Sequence, residues 1–346
     1  MRVVHVLRTL TIGGAELCAV TVAEWQASNG CSVSVLGAPG PLMERIATEV
    51  EVVHPRPGFV GLIRTLRSLT SDSSRQVILH AHQRREALAA LIAASGRSHV
   101  TVVEHAHTQL PTSRGRWLSF RSAHIFAVGP SVRDMVVDTF GRDPARVTVV
   151  DNVPTTNAAP CEHVPDAQRV RVVNVARVAP QKDPERFIST IVELQRSDDD
   201  TRWEGRWHGH GPLLAEMRAL SEGTTCQFVG TTDDVADALR HADVLLLTSR
   251  WEGLPLTVLE GLASGVPVVA PDVGSLKALI EEHQCGILIA ADAAPPAVAA
   301  AVRAAVKPGP ARDARVAAGL LLIRTRYSPD VAFPPIVQAY RQLMQV

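Results

Sequence analysis

The chain has 346 residues, 46% of them apolar and 20% charged. One hydrophobic core rarely serves more than about 250 residues, so two domains are expected, and the composition excludes a disordered chain, a collagen-like fibre and a coiled coil. Lys and Arg together number 35, as do Asp and Glu, so net charge offers no argument for nucleic-acid binding.

Short Val-rich runs alternate with helix-length segments along the chain. The first half predicts strands at 2–7, 32–36, 50–53, 76–79, 99–103, 124–128 and 146–150, with helical patterns such as 14–28, 83–95 and 131–140 between them. Strands separated by helices imply βαβ units, and continuous apolar runs suit a parallel sheet covered on both faces. From 153 to 168 the pattern stops, in a stretch holding Pro154, Pro160 and Pro165 that reads as a linker. A second series follows, with strands near 170–175, 203–208, 225–229, 243–247, 267–270 and 286–289 and helices near 184–196, 212–221, 233–240, 256–264 and 274–281. The tail, 296–345, is helical in pattern. Two doubly wound α/β domains are expected, at 1–152 and 169–328, with ligands beyond the carboxyl ends of the strands and a cleft between the domains.

The five cysteines are scattered and form no C-x-x-C pair, which fits a reducing compartment and speaks against a disulfide framework or a zinc site. There is no signal-peptide pattern and no stretch near the roughly 20 apolar residues of a membrane span. A cytoplasmic location is expected, peripheral to a membrane at most. Residues 1–150 carry 16 Arg and Lys against 11 Asp and Glu, a bias reversed in the remainder. Within that basic half, Arg114, Arg116 and Arg121 stand beside Trp117 and Phe120. This patch suits either an ordinary amphipathic helix or contact with an anionic acceptor or lipid headgroup.

Four groups of residues sit where strands end. Gly13 and Gly14 follow the first strand and precede a helix, so they permit φ > 0 and a close approach to an anion; a plain strand-to-helix turn explains them as well. His80 and His82 follow the fourth strand, and Glu104, His105 and His107 follow the fifth. These histidines read either as cleft residues or as hydrogen-bonded structural ones; no ligand spacing on one element points to a metal. Arg177 and Lys182 lie in the loop after the first strand of the second series, two cations suited to a diphosphate. The fourth group is "SRWEGLPLTVLEG", 249–261. Pro255 opens a helix whose first N–H groups, at Leu256, Thr257 and Val258, are expected to be free for phosphate. Glu252 in the loop and Glu260 in the helix are suited to accept from vicinal hydroxyls. Asp198-Asp199-Asp200 contains a D-x-D string, but at a helix end, where a solvated turn is expected.

The order of these motifs resembles the retaining glycosyltransferases of family 4, which have the GT-B fold. The resemblance spans the whole chain: the glycine pair, the strand-end histidines, the linker, Arg-x4-Lys, Gly-x-Gly-Pro and Glu-x7-Glu within "SRWEGLPLTVLEGLASGVPVVA". It implies that the first domain holds the acceptor and the second a nucleotide sugar, a UDP- or GDP-sugar, with no further cofactor and no metal. It also implies that the last helix, 329–346, returns to the first domain. By position, His105 corresponds to the family's active-site histidine and Arg177 and Lys182 to its diphosphate cations. Glu252 would contact the transferred sugar, Glu260 the ribose hydroxyls, and Gly13, Gly14, Gly253, Leu256 and Thr257 complete the donor-binding set. Two positions depart from the family pattern: Ala176 stands where Gly is common, and His210 where Asp is common. The expected reaction is transfer of a sugar to an acceptor hydroxyl with retention, in bacterial polysaccharide, glycolipid or glycoconjugate synthesis. A sugar-nucleotide epimerase of the same fold class, or a catalytically silent partner of another transferase, are the alternatives.

Overall fold

A computed structural model describes residues 1–110, 112, 117–155, 168–232 and 234–345. The chain divides into two compact units, Met1–Thr155 with Pro329–Val346, and Thr156–Ser328.

The first unit runs β1 (Arg2–Thr9), α1 (Gly14–Ser28), β2 (Ser32–Ala38), β3 (Glu51–Val53), α2 (Gly58–Leu69), β4 (Val77–Ala81), α3 (Arg84–Ala94), β5 (Val100–Ala106), β6 (His124–Ala127), α4 (Pro130–Asp134) and β7 (Val147–Val149). Its sheet has the order β3-β2-β1-β4-β5-β6-β7, every pair parallel. One face packs α2 and α3 on Val4, Val6, Leu79 and Val102. The other carries Val3, Ile78, Val103 and Phe126, which share a core with Cys18 and Val22 of α1 and with Phe333, Ile336 and Tyr340. Those last three lie at or within α13 (Pro334–Met344), so the C-terminal helix completes the core of the first unit.

The second unit runs β8 (Arg169–Val175), α5 (Pro184–Arg196), β9 (Arg202–His208), α6 (Leu214–Leu220), β10 (Cys226–Gly230), α7 (Val235–Arg240), β11 (Val244–Leu246), α8 (Leu256–Ala263), β12 (Val268–Pro271), α9 (Leu276–His283), β13 (Ile287–Ile289), α10 (Pro295–Val306) and α11 (Pro310–Arg326). The short α12 (Pro329–Ala332) leads into α13. The order β10-β9-β8-β11-β12-β13 is again all parallel. Its core gathers Phe187, Ile191, Trp207, Phe228 and Val244, with Val298 and Val302 from α10.

Both sheets reverse strand order once, between β1 and β4 in the first unit and between β8 and β11 in the second. Such switch points open a crevice at the carboxyl ends of the strands. The expected α/β class with two parallel sheets is the observed one. The strands fall where the apolar runs do, but β1, β2, β4 and β5 run on to Thr9, Ala38, Ala81 and Ala106. His80 pairs with His5 of β1, and His105 pairs with Phe126 of β6. These histidines are therefore ladder residues inside the sheet instead of loop residues beyond it.

Candidate functional site

In the second unit the expected residues gather at the β8/β11 switch point. Two loops are laced together there by backbone groups. Thr248 Oγ1 donates to the carbonyls of Lys182 and Asp183 at 2.8 and 2.9 Å. The Arg250 N–H donates to the Gln181 carbonyl at 2.8 Å, and Gln181 Nε2 donates to the Trp251 carbonyl at 2.9 Å. Asp183 takes the left-handed conformation at φ 50°, which turns the chain into α5 at Pro184. The outcome is a direct ion pair: Lys182 Nζ meets Glu252 Oε1 at 2.5 Å, with the glutamate buried and the lysine half-buried. Arg177, just past β8, is exposed and has no ion pair among the described residues.

The helix behind this pair is fixed to the sheet. Thr257 Oγ1, in the first turn of α8, donates to the Val175 carbonyl at the end of β8 at 2.7 Å. Pro255 caps the helix, and Gly253, buried, passes its carbonyl to the Ser275 N–H at 2.9 Å. Glu260 is buried in the second turn. One expectation needs correcting: the Val258 N–H is not free but donates to the Pro255 carbonyl at 3.2 Å, closing a tight first turn. The N–H groups of Leu256 and Thr257 have no backbone partner among the described residues, as the first positions of a helix must.

The Gly-x-Gly-Pro segment braces the same loop. The Ala176 and Val178 N–H groups donate to the carbonyls of His208 and His210 at 2.9 and 3.0 Å. A Cβ on Gly209, at φ +151°, would stand 1.9 Å from the Ala176 carbonyl oxygen, and one on Gly211 would stand 2.2 Å from that of Val178. Only glycine allows the two strands' loops to approach so closely. Asp198 accepts from the N–H groups of Asp200 and Thr201 and from Trp203 Nε1, so the D-x-D string is a turn that closes α5.

In the first unit, Gly13 caps α1 in an extended conformation and Gly14 opens it; neither takes a positive φ. The glycine at 13 makes room for Glu16, whose Oε2 would lie 2.5 Å from a Cβ there. Glu16 Oε1 accepts from Gln83 Nε2 at 3.0 Å, tying this turn to the end of β4.

The histidines form a larger assembly than the strand ends suggested. Side chains alternate across a strand, so His5 of β1, His80 and His82 at β4, and His105 and His107 at β5 all project from one face, beneath α1 and α13. His5 Nδ1 and His82 Nε2 are 2.9 Å apart, as are His82 Nδ1 and His107 Nε2. Gln26 Oε1 of α1 meets His5 Nε2 at 2.9 Å. A second file lies against the first: Tyr340 of α13 meets His80 Nδ1 at 2.5 Å, and His80 stacks on His82 and His105 on His107 at 4.5 Å between centroids. Both nitrogens of His105 are buried without a partner. Burial pushes every one of the five below the ordinary imidazole range, His5 to about 4 and His107 to about 3. The cluster is electrically neutral at pH 7.

Two trios here bring ligand-type atoms within 4.8 Å of one another: His5, His80 and His82, and Cys18, His105 and His107. A metal lies in the plane of each imidazole that binds it. The His105 and His107 rings are stacked within 13° of parallel, and a hydrogen bond joins His5 to His82.

His5, Gln26 and Tyr340 were not singled out from sequence. The signal for His5 was its alternation with Val3 on the inward face of β1; nothing in chain order joins residue 26 to residue 340. Arg114 and Arg116 lie outside the described residues. Beside them Trp117 is 77% exposed, while Phe120 is buried.

A model of the glycosyl transferases group 1 matches residues 169–307, and a model of glycosyltransferase family 4 matches residues 12–156. A lipopolysaccharide core biosynthesis mannosyltransferase, LpsB, of Rhizobium meliloti is 32% identical over 178 residues, 49% of this chain and 50% of that protein. An Escherichia coli UDP-Gal:alpha-D-GlcNAc-diphosphoundecaprenol alpha-1,3-galactosyltransferase is 23% identical over 265 residues, covering 66% of this chain and 68% of the other. The chain therefore aligns with about half the length of the first of these relatives and about two thirds of the second. Among solved structures, the Anabaena protein HepE in complex with UDP and glucose superposes with a TM-score of 0.80 at 16% identity over 99% of this chain and 100% of that one. WaaG, a glycosyltransferase involved in lipopolysaccharide biosynthesis, gives 0.76 at 16% identity over 97% and 98%.

Proposed function

The chain belongs to the group 1, family 4 glycosyltransferases, and from that premise we propose that it moves a sugar from a nucleoside-diphosphate sugar to an acceptor hydroxyl with retention at the anomeric carbon. The observation that carries this reading is the Lys182–Glu252 pair at the β8/β11 switch point, with Glu252 four residues before the Leu256 N–H that starts α8. In this reading the donor occupies the second unit. Departure of the diphosphate is the costly event, because positive charge develops on the sugar as negative charge gathers on the phosphate. Lys182 has three donor hydrogens, so it can keep Glu252 and take a phosphate oxygen as well. Arg177 adds a planar fork from the exposed side, and the Leu256 and Thr257 N–H groups add the positive end of a helix. Glu252, anchored by the lysine, is left to accept from hydroxyls of the transferred sugar, and Glu260 from those of the ribose. Three sources of positive potential serve the leaving group, so this reading requires neither a divalent ion nor a further cofactor.

The acceptor is assigned to the first unit. The relatives act on lipopolysaccharide core and on a diphosphoundecaprenol-linked sugar. Together with the excess of Arg in residues 1–150 and the exposed Trp117, this supports an anionic or membrane-associated acceptor in bacterial glycoconjugate synthesis. No helix among the described residues is long and apolar enough to cross a membrane; in this reading contact with a bilayer is peripheral, on its cytoplasmic face.

The deciding experiment is a thermal-shift panel of UDP-, GDP- and ADP-sugars, followed by donor hydrolysis with the best binder. One nucleotide sugar is expected to raise the melting temperature and to be consumed slowly in water. No shift with any of them would overturn the assignment of a donor site.

A further inference from the structure

The histidine assembly of the first unit contains more order than packing requires. Its direction is set at one end. Gln26 presents Oε1 to His5 and Nε2 to the Tyr340 hydroxyl, at 2.9 and 3.5 Å. An amide oxygen only accepts, so His5 carries its proton on Nε2 and leaves Nδ1 bare. His82 must then donate from Nε2, and its own Nδ1 must accept from His107 Nε2. The order propagates through three rings to His107, the one member of the five that is not fully buried. His107 Nδ1 accepts nothing from the described residues and is not among the buried nitrogens. The same amide, through the Tyr340 hydroxyl, directs a proton to His80 Nδ1 and so places the His80 proton on Nε2.

We propose that Gln26 is a positioning residue that fixes the tautomers of His5, His82 and His107, so that His107 offers a bare Nδ1 at the carboxyl end of β5 to a substrate hydroxyl. The hydroxyl donates and the imidazole accepts, with no proton transferred. An imidazolium at this site is opposed by burial, by four neighbouring rings and by the lack of any carboxylate within the file. The role in substrate binding rests on the transferase reading; the tautomer order does not.

The test is a long-range proton–nitrogen NMR correlation on the full chain with ¹⁵N-labelled histidine at pH 7.5, without substrate. His5, His82 and His107 are each expected to show a bare Nδ1 and a protonated Nε2. In Gln26→Met, His107 should become a mixture of tautomers, and in Gln26→Glu, where a carboxylate again accepts from His5, it should return to one. Tyr340→Phe should disturb His80 and leave His107 unchanged. With glycerol as the hydroxyl probe and the nucleotide sugar that the thermal-shift panel selects, Gln26→Met should raise KM for glycerol or for the donor by about 3–10-fold, as for loss of one neutral hydrogen bond, at unchanged kcat. The substrate whose KM moves is the one that carries the hydroxyl. A protonated Nδ1 on His107 in the parent protein would overturn the proposal, as would a His107 spectrum indifferent to Gln26→Met. Should Gln26→Met not fold, the parent spectrum and Tyr340→Phe decide. A correct tautomer pattern with KM values unmoved would remove the hydroxyl role alone, and a correct pattern without consumption of any nucleotide sugar would point instead to failure of the transferase reading.

Discussion

Lys182 and Glu252 are best understood as one unit. Each was singled out for its own role, but the 2.5 Å contact makes each the other's support. Lys182→Ala removes a phosphate donor and leaves a buried carboxylate uncompensated. Turnover should fall by about 10²-fold or more, as for loss of one preorganised donor, with Arg177→Ala similar in size but without the loss of stability. Steady-state rates with EDTA present, beside melting curves, separate these effects; strict dependence on a divalent ion would contradict the proposed chemistry. The two glutamates divide differently. Glu260→Gln should weaken binding of the free nucleoside diphosphate by about 1.5–3 kcal/mol, the worth of a charged hydrogen bond. Glu252→Gln, which also loosens Lys182, should weaken the sugar-bearing donor more than the free diphosphate. Calorimetry with both ligands checks this, and equal losses in the two variants would refute the assignment.

At the scale of elements, the loop assigned to the donor depends on close backbone packing. The loop after β8 and the Gly-His-Gly-Pro turn after β9 share hydrogen bonds through Ala176 and Val178. Gly209 stands at the contact, where any side chain meets the Ala176 carbonyl. Gly209→Ala must therefore push the β8 loop out of place, in a backbone region that costs an L-residue about 1–3 kcal/mol before the clash is counted. Chemical denaturation should show at least that loss, and the nucleoside diphosphate should bind more weakly. Stability equal to the parent's would show that the loop has room the structure denies.

At the scale of the whole molecule, the two units should respond differently to acid. Five histidines of the first unit are held neutral by burial, so in the fold they bind protons only well below the ordinary range. Unfolded, the same residues take up protons below about pH 6.5. Their contribution is complete above that pH and is lost as the pH falls, down to about 4 for His5 and about 3 for His107. Each costs about 1.4 kcal/mol per pH unit in that window, so five amount to several kcal/mol by pH 5.5, comparable to a typical folding free energy. Glu24 and Glu104, raised by burial, work in the opposite sense, but they are two groups against five. Histidine-cluster NMR signals should therefore collapse between pH 6 and 5 while tryptophan fluorescence of Trp203 and Trp207, in the second unit, persists. Simultaneous loss of both would show that the units do not unfold separately. The basic half supplies a further expectation. Replacing Arg114, Arg116 and Arg121 with Ser should reduce flotation with anionic vesicles and leave donor hydrolysis unchanged; absence of vesicle binding in the parent would make a water-soluble acceptor the default.

Much of this protein was legible in its sequence. The alternation of Val-rich runs with amphipathic segments determined the α/β class and the positions of the strands, because a buried parallel strand needs continuous apolar residues whatever its neighbours. The loop motifs around Arg177, Lys182, Glu252 and Glu260 were also readable, since strand ends place chemistry in short, ordered strings. What chain order does not encode is contact between distant residues. That Lys182 spends one hydrogen bond on Glu252, and that the Val258 N–H closes its own turn, follows from how two loops fold against each other. That His80 and His105 lie within the sheet was settled by ladder pairing with β1 and β6. Only the packing of α1 and α13 on one sheet face joins Gln26, Tyr340 and five histidines into a single network. A residue's period-2 or period-3.6 neighbours are written in the sequence, whereas its partners across a buried face are chosen by the shape of the whole core.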